Sequence, residues 1–325
     1  RPCVFAGKST VPVGTAERIA TRIAETAPAG DDVELVWNPE FLREGFAVDD
    51  TLHPDRLVFG VTSERGEAAM REAFAPVIEG GAPVVVTDLA TAQLVKVAAN
   101  AFLATKISFI NAMAEVCEVT HADVTKLSEA LSHDARIGGR FLHAGLGFGG
   151  GCLPKDIRAF MARAGELGVD QALTFLTEVD AINLRRRTRI VDLARELLDE
   201  TVPGRRIGVL GAAFKPDSDD IRDSPALDVA SRLSSAGAEV TVYDPAAMPN
   251  ARVRYPDLKY ADSTLEAVDR ADLVLLLTEW PEFREADPAV LAGAVAARNI
   301  VDGRNALNPE VWRAAGWTYR ALGRP

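Results

Sequence analysis

The stretch Ile207-Gly208-Val209-Leu210-Gly211-Ala212-Ala213, continued by Ser224-Pro225-Ala226-Leu227 and closed by Val240-Thr241-Val242-Tyr243, decides the fold class of this chain. Short aliphatic and β-branched runs predict strands at 207–210 and 240–243. Between them Ser224 is a capping residue with Pro225 at the first helical position, and Gly237 marks where that helix should stop. Strand, helix and strand in that order form a βαβ unit and imply a parallel sheet.

The rhythm extends outward. Residues 273–277 and 299–301 read as further strands. Near the other end, 4–6, 33–37, 57–59 and 84–86 read as strands, with helices expected over 13–26, 39–46 and 64–74. From about Thr91 to Glu200 the spacing is helical: 93–118 is apolar on most sides and predicts a buried helix, and 157–198 is helical with a break near Gly168. Pro203-Gly204 marks a boundary. The expected architecture is α/β: two Rossmann-like parallel-sheet domains, the first truncated, joined by a helical core with a long central helix and divided at 1–88, 89–202 and 203–325.

The 325 residues exceed the roughly 250–300 at which single cores stop growing. A formal net charge of −11 argues against a nucleic-acid surface, which needs clustered positive charge. The densest basic cluster, Arg185-Arg186-Arg187, reads as a solvated helix face. Three cysteines, Cys3, Cys117 and Cys152, are an odd, sparse set that fits a reducing compartment. His53, His121, His133 and His143 have no metal-ligand spacing with one another or with cysteine, so no metal is expected. No apolar run reaches the about 20 residues that cross a bilayer, and Arg1-Pro2-Cys3-Val4-Phe5-Ala6-Gly7 is too short to be a signal peptide. These features predict a cytoplasmic protein that binds neither nucleic acid nor membrane.

Gly145-Leu146-Gly147-Phe148-Gly149-Gly150 fits G-x-G-x-x-G literally. The dinucleotide fingerprint also needs a strand just before it and a helix just after. Residues 136–143 are not a convincing strand, so the better reading is a flexible loop that lets backbone amides approach a ligand. The glycine spacing in 208–213 is wrong for the fingerprint. The expectation is that the first half of a cofactor domain is missing.

Cys152 follows this glycine run and precedes Leu153-Pro154-Lys155-Asp156. Proline favours the first turn of a helix, which puts the thiol beside a helix N-terminus with Lys155 close by. Both features stabilise a thiolate nucleophile; the competing reading is an inert cysteine, as expected for Cys117 in its apolar helix. Lys96 and Asn100 are spaced i, i+4 and share a helix face. They read equally as oxyanion donors or as a structural ion pair with a helix–helix hydrogen bond. In 38–44, Asn38 reads as a cap and Pro39 as the first helical residue, with Glu40 and Glu44 one turn apart; Glu40 is either a dipole partner or a general base. Lys215 and Arg222 lie in an acidic loop after a strand. They read as phosphate or cofactor contacts or as cations neutralised by adjacent aspartates.

Taken together, Lys8–Thr15, Asn38–Gly45, Lys96–Asn100, Gly147–Asp156, Phe214–Pro225 and Asp302-Gly303-Arg304-Asn305 resemble the UDP-glucose/GDP-mannose dehydrogenase family, in family order and over nearly the whole chain. The resemblance implies a dinucleotide domain, a helical dimer core and a nucleotide-sugar domain in a homodimer. It implies oxidation of a sugar C6 alcohol to a carboxylate, with two NAD reduced per turnover. Cys152 would form a thiohemiacetal and then a thioester, Lys96 and Asn100 would stabilise the oxyanion, and Glu40 would assist hydrolysis with Thr10 and Asp156 holding the water. Glu44, Lys155 and Arg222 would touch NAD. Lys215 and Arg304 would contact the nucleotide sugar, with Phe141 and Gly147, Gly149 and Gly150 near the sugar, and Arg136 would reach the substrate of the neighbouring subunit.

Two departures stand out: the NAD glycine turn has no counterpart, and Gly151 and Leu153 replace a usual serine and phenylalanine. Gly147–Gly150 looks closer to the UDP-glucose branch of the family, a resemblance that implies UDP-glucose as the substrate. GDP-mannose, a UDP-N-acetylhexosamine, a non-catalytic dimeric nucleotide-sugar-binding module and another oxidoreductase with a structural Cys152 stay open.

Overall fold

The computed structural model describes residues 3–325, Asp31 by its backbone alone; Arg1 and Pro2, at the head of the segment weighed as a signal peptide, lie outside it. The chain forms two compact units, one of residues 1–102 and 155–174, the other of 103–154 and 175–325.

The first unit begins with β1 (Cys3–Gly7), α1 (Thr15–Thr26), β2 (Val33–Trp37), α2 (Ala47–Leu52), β3 (Leu57–Gly60), α3 (Glu64–Ala73), α4 (Ala75–Glu79) and β4 (Val84–Thr87). Its sheet has the order β1-β2-β3-β4. β1 pairs parallel with β2, and β3 parallel with β4. The β2–β3 link departs from the parallel expectation: it is a single antiparallel pairing of Trp37 with Gly60. The core holds Leu35, Trp37, Val58, Leu89 and Ala92.

The helix expected over 39–46 does not form; residues 38–46 are irregular and α2 follows them. Side chains take the backbone and capping partners that a first turn would use. The Glu40 carboxylate accepts from the Leu42 amide at 2.7 Å, and Asp50 accepts from the Arg43 amide at 2.7 Å. Asn38 does not cap: its Oδ1 accepts from Lys8 Nζ, and its Nδ2 donates to Val58 O.

Next come α5 (Leu89–Thr120), α6 (Val124–Ser132), α7 (Leu153–Glu166) and α8 (Thr174–Leu197). The break expected near Gly168 falls between α7 and α8. The 32 residues of α5 are long and apolar enough to cross a bilayer, against the expectation that no run reached that length. Buried Gln93, Lys96, Asn100, Ser108 and Asn111 mark it instead as the core helix of a folded domain, because unpaired polar groups are costly in lipid. Ser108 Oγ, for example, donates to Val179 O at 2.7 Å. Cys117 packs with Ile110, Ala114, Val124 and Leu142 as core.

The second unit continues with β5 (Arg206–Leu210), α9 (Pro225–Ser235), β6 (Glu239–Tyr243), α10 (Met248–Arg254), β7 (Lys259–Tyr260), α11 (Thr264–Val268), β8 (Leu273–Leu276), α12 (Pro281–Arg284), α13 (Pro288–Ala294), β9 (Asn299–Asp302), α14 (Pro309–Ala314) and β10 (Thr318–Ala321). Ser224 caps α9 by accepting from the Leu227 amide, as its sequence predicts. The sheet order β10-β9-β8-β5-β6-β7 is parallel throughout. Read from the other edge, this is the doubly wound order of a dinucleotide-binding fold. Its switch point lies between β5 and β8, where ligands of such sheets bind beyond the strands' carboxyl ends.

Candidate active site

In the first unit, α5 carries Lys96 and Asn100, each only 7% exposed. Asn100 Nδ2 donates to Asp156 Oδ2, in the first turn of α7, at 2.7 Å. Lys155 Nζ lies 3.5 Å from the other Asp156 oxygen. Lys96 Nζ is 3.7 Å from Glu40 Oε1 and sits over the Phe41 ring at 5.4 Å. Direct contacts thus form two groups, Lys96 with Glu40 and Asn100 with Asp156 and Lys155. The two polar side chains on α5 each face a carboxylate rather than each other. Lys8, beside this group, has its pKa lowered by burial, against the opposing charge of Glu40.

Thr10 lines a cavity of about 210 Å³ with Val11, Pro12, Val97, Asp156 and Phe160, and Lys155 and Arg163 edge it. Arg163 Nε donates to Val13 O and ties α7 to this loop. Glu44 sits in the turn before α2.

In the second unit, Cys152 is exposed and immediately precedes α7. The run before it is not a flexible loop: Gly145 to Gly150 are buried and held on every side. The Gly145 amide donates to Asn111 Oδ1, the Phe148 amide to Asn183 Oδ1 and the Gly150 amide to Arg222 O. A Cβ at Gly147 would overlap the Asn183 side chain, and one at Gly149 would overlap Asp223 O. Gly147 also has φ +95°, a conformation that glycine alone adopts without cost. No strand precedes the run, which supports its separation from the dinucleotide fingerprint.

Arg222 grips Asp220 through Nε and Nη2 at 2.8–3.0 Å. Burial opposes ionisation of Asp220, but the hydrogen bonds from Arg222 and the Gly151 amide outweigh it and hold the carboxyl below its ordinary range. Lys215 Nζ lies over the Phe214 ring at 5.6 Å. Arg304, expected at the nucleotide sugar, donates to Leu277 O, Gly147 O and Phe214 O at 2.7–3.2 Å. It bridges the loops after β5 and β8 and holds the glycine run. Phe141 has φ 66° and is 39% exposed; Arg136 turns onto Asp134 at 2.6 Å.

The basic cluster corrects its reading as a solvated face. Arg186 and Arg187 are buried, paired with Glu115, Glu118, Asp223 and Asp228, and only Arg185 is exposed. Asn111 and Asn183 escaped the sequence analysis, and Arg187 entered it only as part of the solvated run. Asn183 and Arg187 had a usable signal: the same i, i+4 spacing as Lys96 and Asn100, within a helical segment.

Three profiles of one family match the chain: the "UDP-glucose/GDP-mannose dehydrogenase family, NAD binding domain" over residues 1–78, the "central domain" over 90–185 and the "UDP binding domain" over 208–309. The chain is 41% identical over 323 residues to UDP-glucose 6-dehydrogenase TuaD of Bacillus subtilis, covering 99% of this chain and 69% of that protein. It is 43% identical over 320 residues to UDP-glucose 6-dehydrogenase AglM of Haloferax volcanii, covering 97% and 72%. A solved UDP-glucose dehydrogenase from Pyrobaculum islandicum superposes with a TM-score of 0.88 at 36% identity, covering 99% of this chain and 71% of that one.

NAD is the cofactor these matches imply. Among the described residues of the first sheet no glycine fingerprint follows a strand. The 210 Å³ cavity is smaller than the roughly 300–1,000 Å³ that drug-sized ligands occupy. Its lining is mostly apolar, with Thr10, Asp156, Lys155 and Arg163 as the polar residues, so it would take one ring of a dinucleotide rather than the whole molecule.

Proposed function

Because the chain belongs to the UDP-glucose/GDP-mannose dehydrogenase family, we propose that this NAD-dependent nucleotide-sugar dehydrogenase oxidises the C6 alcohol of UDP-glucose to the carboxylate of UDP-glucuronate. NAD, held by Glu44, Lys155 and Arg222, supplies the hydride acceptor for both oxidations. Cys152 adds to the C6 aldehyde as a thiohemiacetal, which on the second oxidation becomes a thioester. Lys96 and Asn100 stabilise the developing oxyanion. Water held by Thr10 and Asp156 loses its proton to Glu40 and releases the carboxylate and the free thiol. Lys215, Arg304, Phe141 and Gly147 to Gly150 form the nucleotide-sugar side, and Arg136 serves the neighbouring subunit.

The observation that carries this reading is the exposed thiol at the head of α7, four residues before the buried Asp156 that Asn100 engages. The three-part division at 1–88, 89–202 and 203–325 belongs to the same proposal. So does a homodimer: Phe102, Phe109 and Val116 recur every seven residues along α5 and are 66%, 49% and 49% exposed, with Val119 at 78%. Such a stripe on a long helix suits a second copy.

The test is NADH release from the full-length protein with UDP-glucose, expected at two NADH per sugar. Cys152→Ala is expected to lower kcat by about 10³-fold or more, the scale of losing a nucleophile. No NADH with UDP-glucose, or full activity in Cys152→Ala, overturns the proposal; GDP-mannose and UDP-N-acetylhexosamine in parallel assign the alternatives.

A further inference from the structure

We propose that Asn183 and Arg187 are positioning residues: one face of α8 clamps the glycine run and the corner it rests on, and so sets where the Cys152 thiol stands. This rests on the reading of Cys152 as the nucleophile.

Asn183 is fully buried and pairs with the backbone of Phe148 in both directions. Its Oδ1 accepts from the Phe148 amide at 2.7 Å, and its Nδ2 donates to Phe148 O at 2.9 Å. This is the exchange a neighbouring strand would make, supplied by one side chain. The fit excludes any side chain at Gly147, so the run has one register against α8.

One turn on, Arg187 is 4% exposed. Its Nη1 lies 3.0 Å from Asp223 Oδ1 and 3.6 Å from Asp228 Oδ2, and its Nη2 donates to Asp223 O at 3.4 Å. Asp223 needs such a hold, because its φ of 46° is left-handed backbone that a non-glycine residue adopts at a cost. Asp223 O is the atom on which Gly149 rests, and the neighbouring Arg222 carbonyl accepts from the Gly150 amide at 2.8 Å. Asp220, gripped by Arg222, takes the Gly151 amide. Each residue from Phe148 to Gly151 is therefore seated on α8 or on the 220–223 corner, and Cys152 is the next residue.

A buried polar network fixes geometry more than it adds stability; here Arg187 Nε alone of the guanidinium nitrogens has no hydrogen-bond or ion-pair partner among the described residues. Displacement of a reacting group by about 1 Å costs up to about 10²-fold in rate. Loosening the clamp lets the residue next to the run, Cys152, move from its set position.

The test uses Asn183→Asp, which keeps shape but sets a carboxylate oxygen against Phe148 O, and Arg187→Lys, which keeps charge but loses the two-point hold on Asp223. In the full-length enzyme each is expected to lower kcat by about tenfold or more while KM for UDP-glucose stays within about threefold. The rate of Cys152 alkylation by iodoacetamide, followed by peptide mass spectrometry, is expected to change in both variants. Buried Cys117 is the internal control and is expected to stay protected.

The proposal is overturned if kcat and Cys152 labelling match wild type in both variants. It is equally overturned if Cys117 becomes labelled together with Cys152, since that outcome reports loosened folding. Cys152→Ala in the same assay separates the two readings. If it still makes two NADH per sugar at the wild-type rate, the assigned function fails; if it does not while the clamp variants behave as wild type, only the clamp fails.

Discussion

In the six-stranded sheet, β8 buries all four of Leu273, Val274, Leu275 and Leu276, and Val209 on the adjacent β5 and Val242 on β6 beyond it are fully buried as well. In the four-stranded sheet, β4 leaves Val85 and Val86 at 50% and 38% exposure, and Phe5 on β1 is 54% exposed. Both strand sets are aliphatic, as strands of parallel sheets covered on both faces are. The described residues cover the central strands of the second sheet, and in the first they cover β3 but leave β1 and β4 partly exposed. Folding strength and placement of chemistry therefore diverge: the proposed water-handling carboxylates and oxyanion donors lie in the lightly covered unit, and the thiol lies in the densely covered one.

The sharpest way to break that comparison is a matched pair of truncations. Leu275→Ala, in the centre of β8, is expected to cost about 2–5 kcal/mol, the range for a buried leucine. Val85→Ala, half exposed on β4, is expected to cost less than about 1 kcal/mol. Urea unfolding followed by tryptophan fluorescence reads both units, since Trp37 lies in the first and Trp280, Trp312 and Trp317 in the second. Equal costs at the two sites would show that the exposed strand faces are covered in solution and would remove the contrast.

Much of this contrast was legible in the sequence. The strand at 33–37 and the helix capped by Ser224 stand where patterning puts them, because periodicity and capping are local properties. The exposed thiol at a helix head was legible for the same reason, through Pro154. What failed to read was non-local. Arg186 and Arg187 look like a solvated basic run until Glu115, Glu118 and Asp223, 36 to 71 residues away along the chain, close around them. Residues 39–46 carry a plausible helix start, but Lys8 and Val58 occupy the Asn38 side chain. The i, i+4 spacing of Asn183 and Arg187 marked a shared helix face, but the Asn183 partner did not show, because it is the backbone of Phe148, which carries no sequence signature.

The long helix α5 runs through both units, and its exposed stripe provides a second, smaller test. Phe109→Glu places a charge in the centre of the Phe102–Val116 row. If a second copy covers that row, dimer dissociation is expected to rise by at least about 30-fold, which corresponds to a hot-spot loss of about 2 kcal/mol. Sedimentation velocity over a concentration series checks it. An unchanged sedimentation profile, whether monomeric or dimeric, would show that the stripe is not the interface.

The smallest expected effect is confined to the second unit and depends on pH. The Asp220 carboxyl is held below the ordinary carboxylate range. A depressed folded-state pKa stabilises the fold above the unfolded value of about 3.9, and the contribution is lost as pH falls through the lower folded value. Asp220→Asn is therefore expected to lower Tm by about 2–4 °C, the shift that about 1 kcal/mol gives in a unit of this size. The gap should stay constant between pH 8 and pH 5 and narrow only below about pH 4. Iodoacetamide labelling of Cys152 in the same series ties the effect to the corner, since Asp220 takes the Gly151 amide. A gap that narrows on the alkaline side instead, or is flat down to pH 3, would remove the ionised carboxylate from the account and leave the glycine run held by Asn183, Arg304 and the Asp223 backbone.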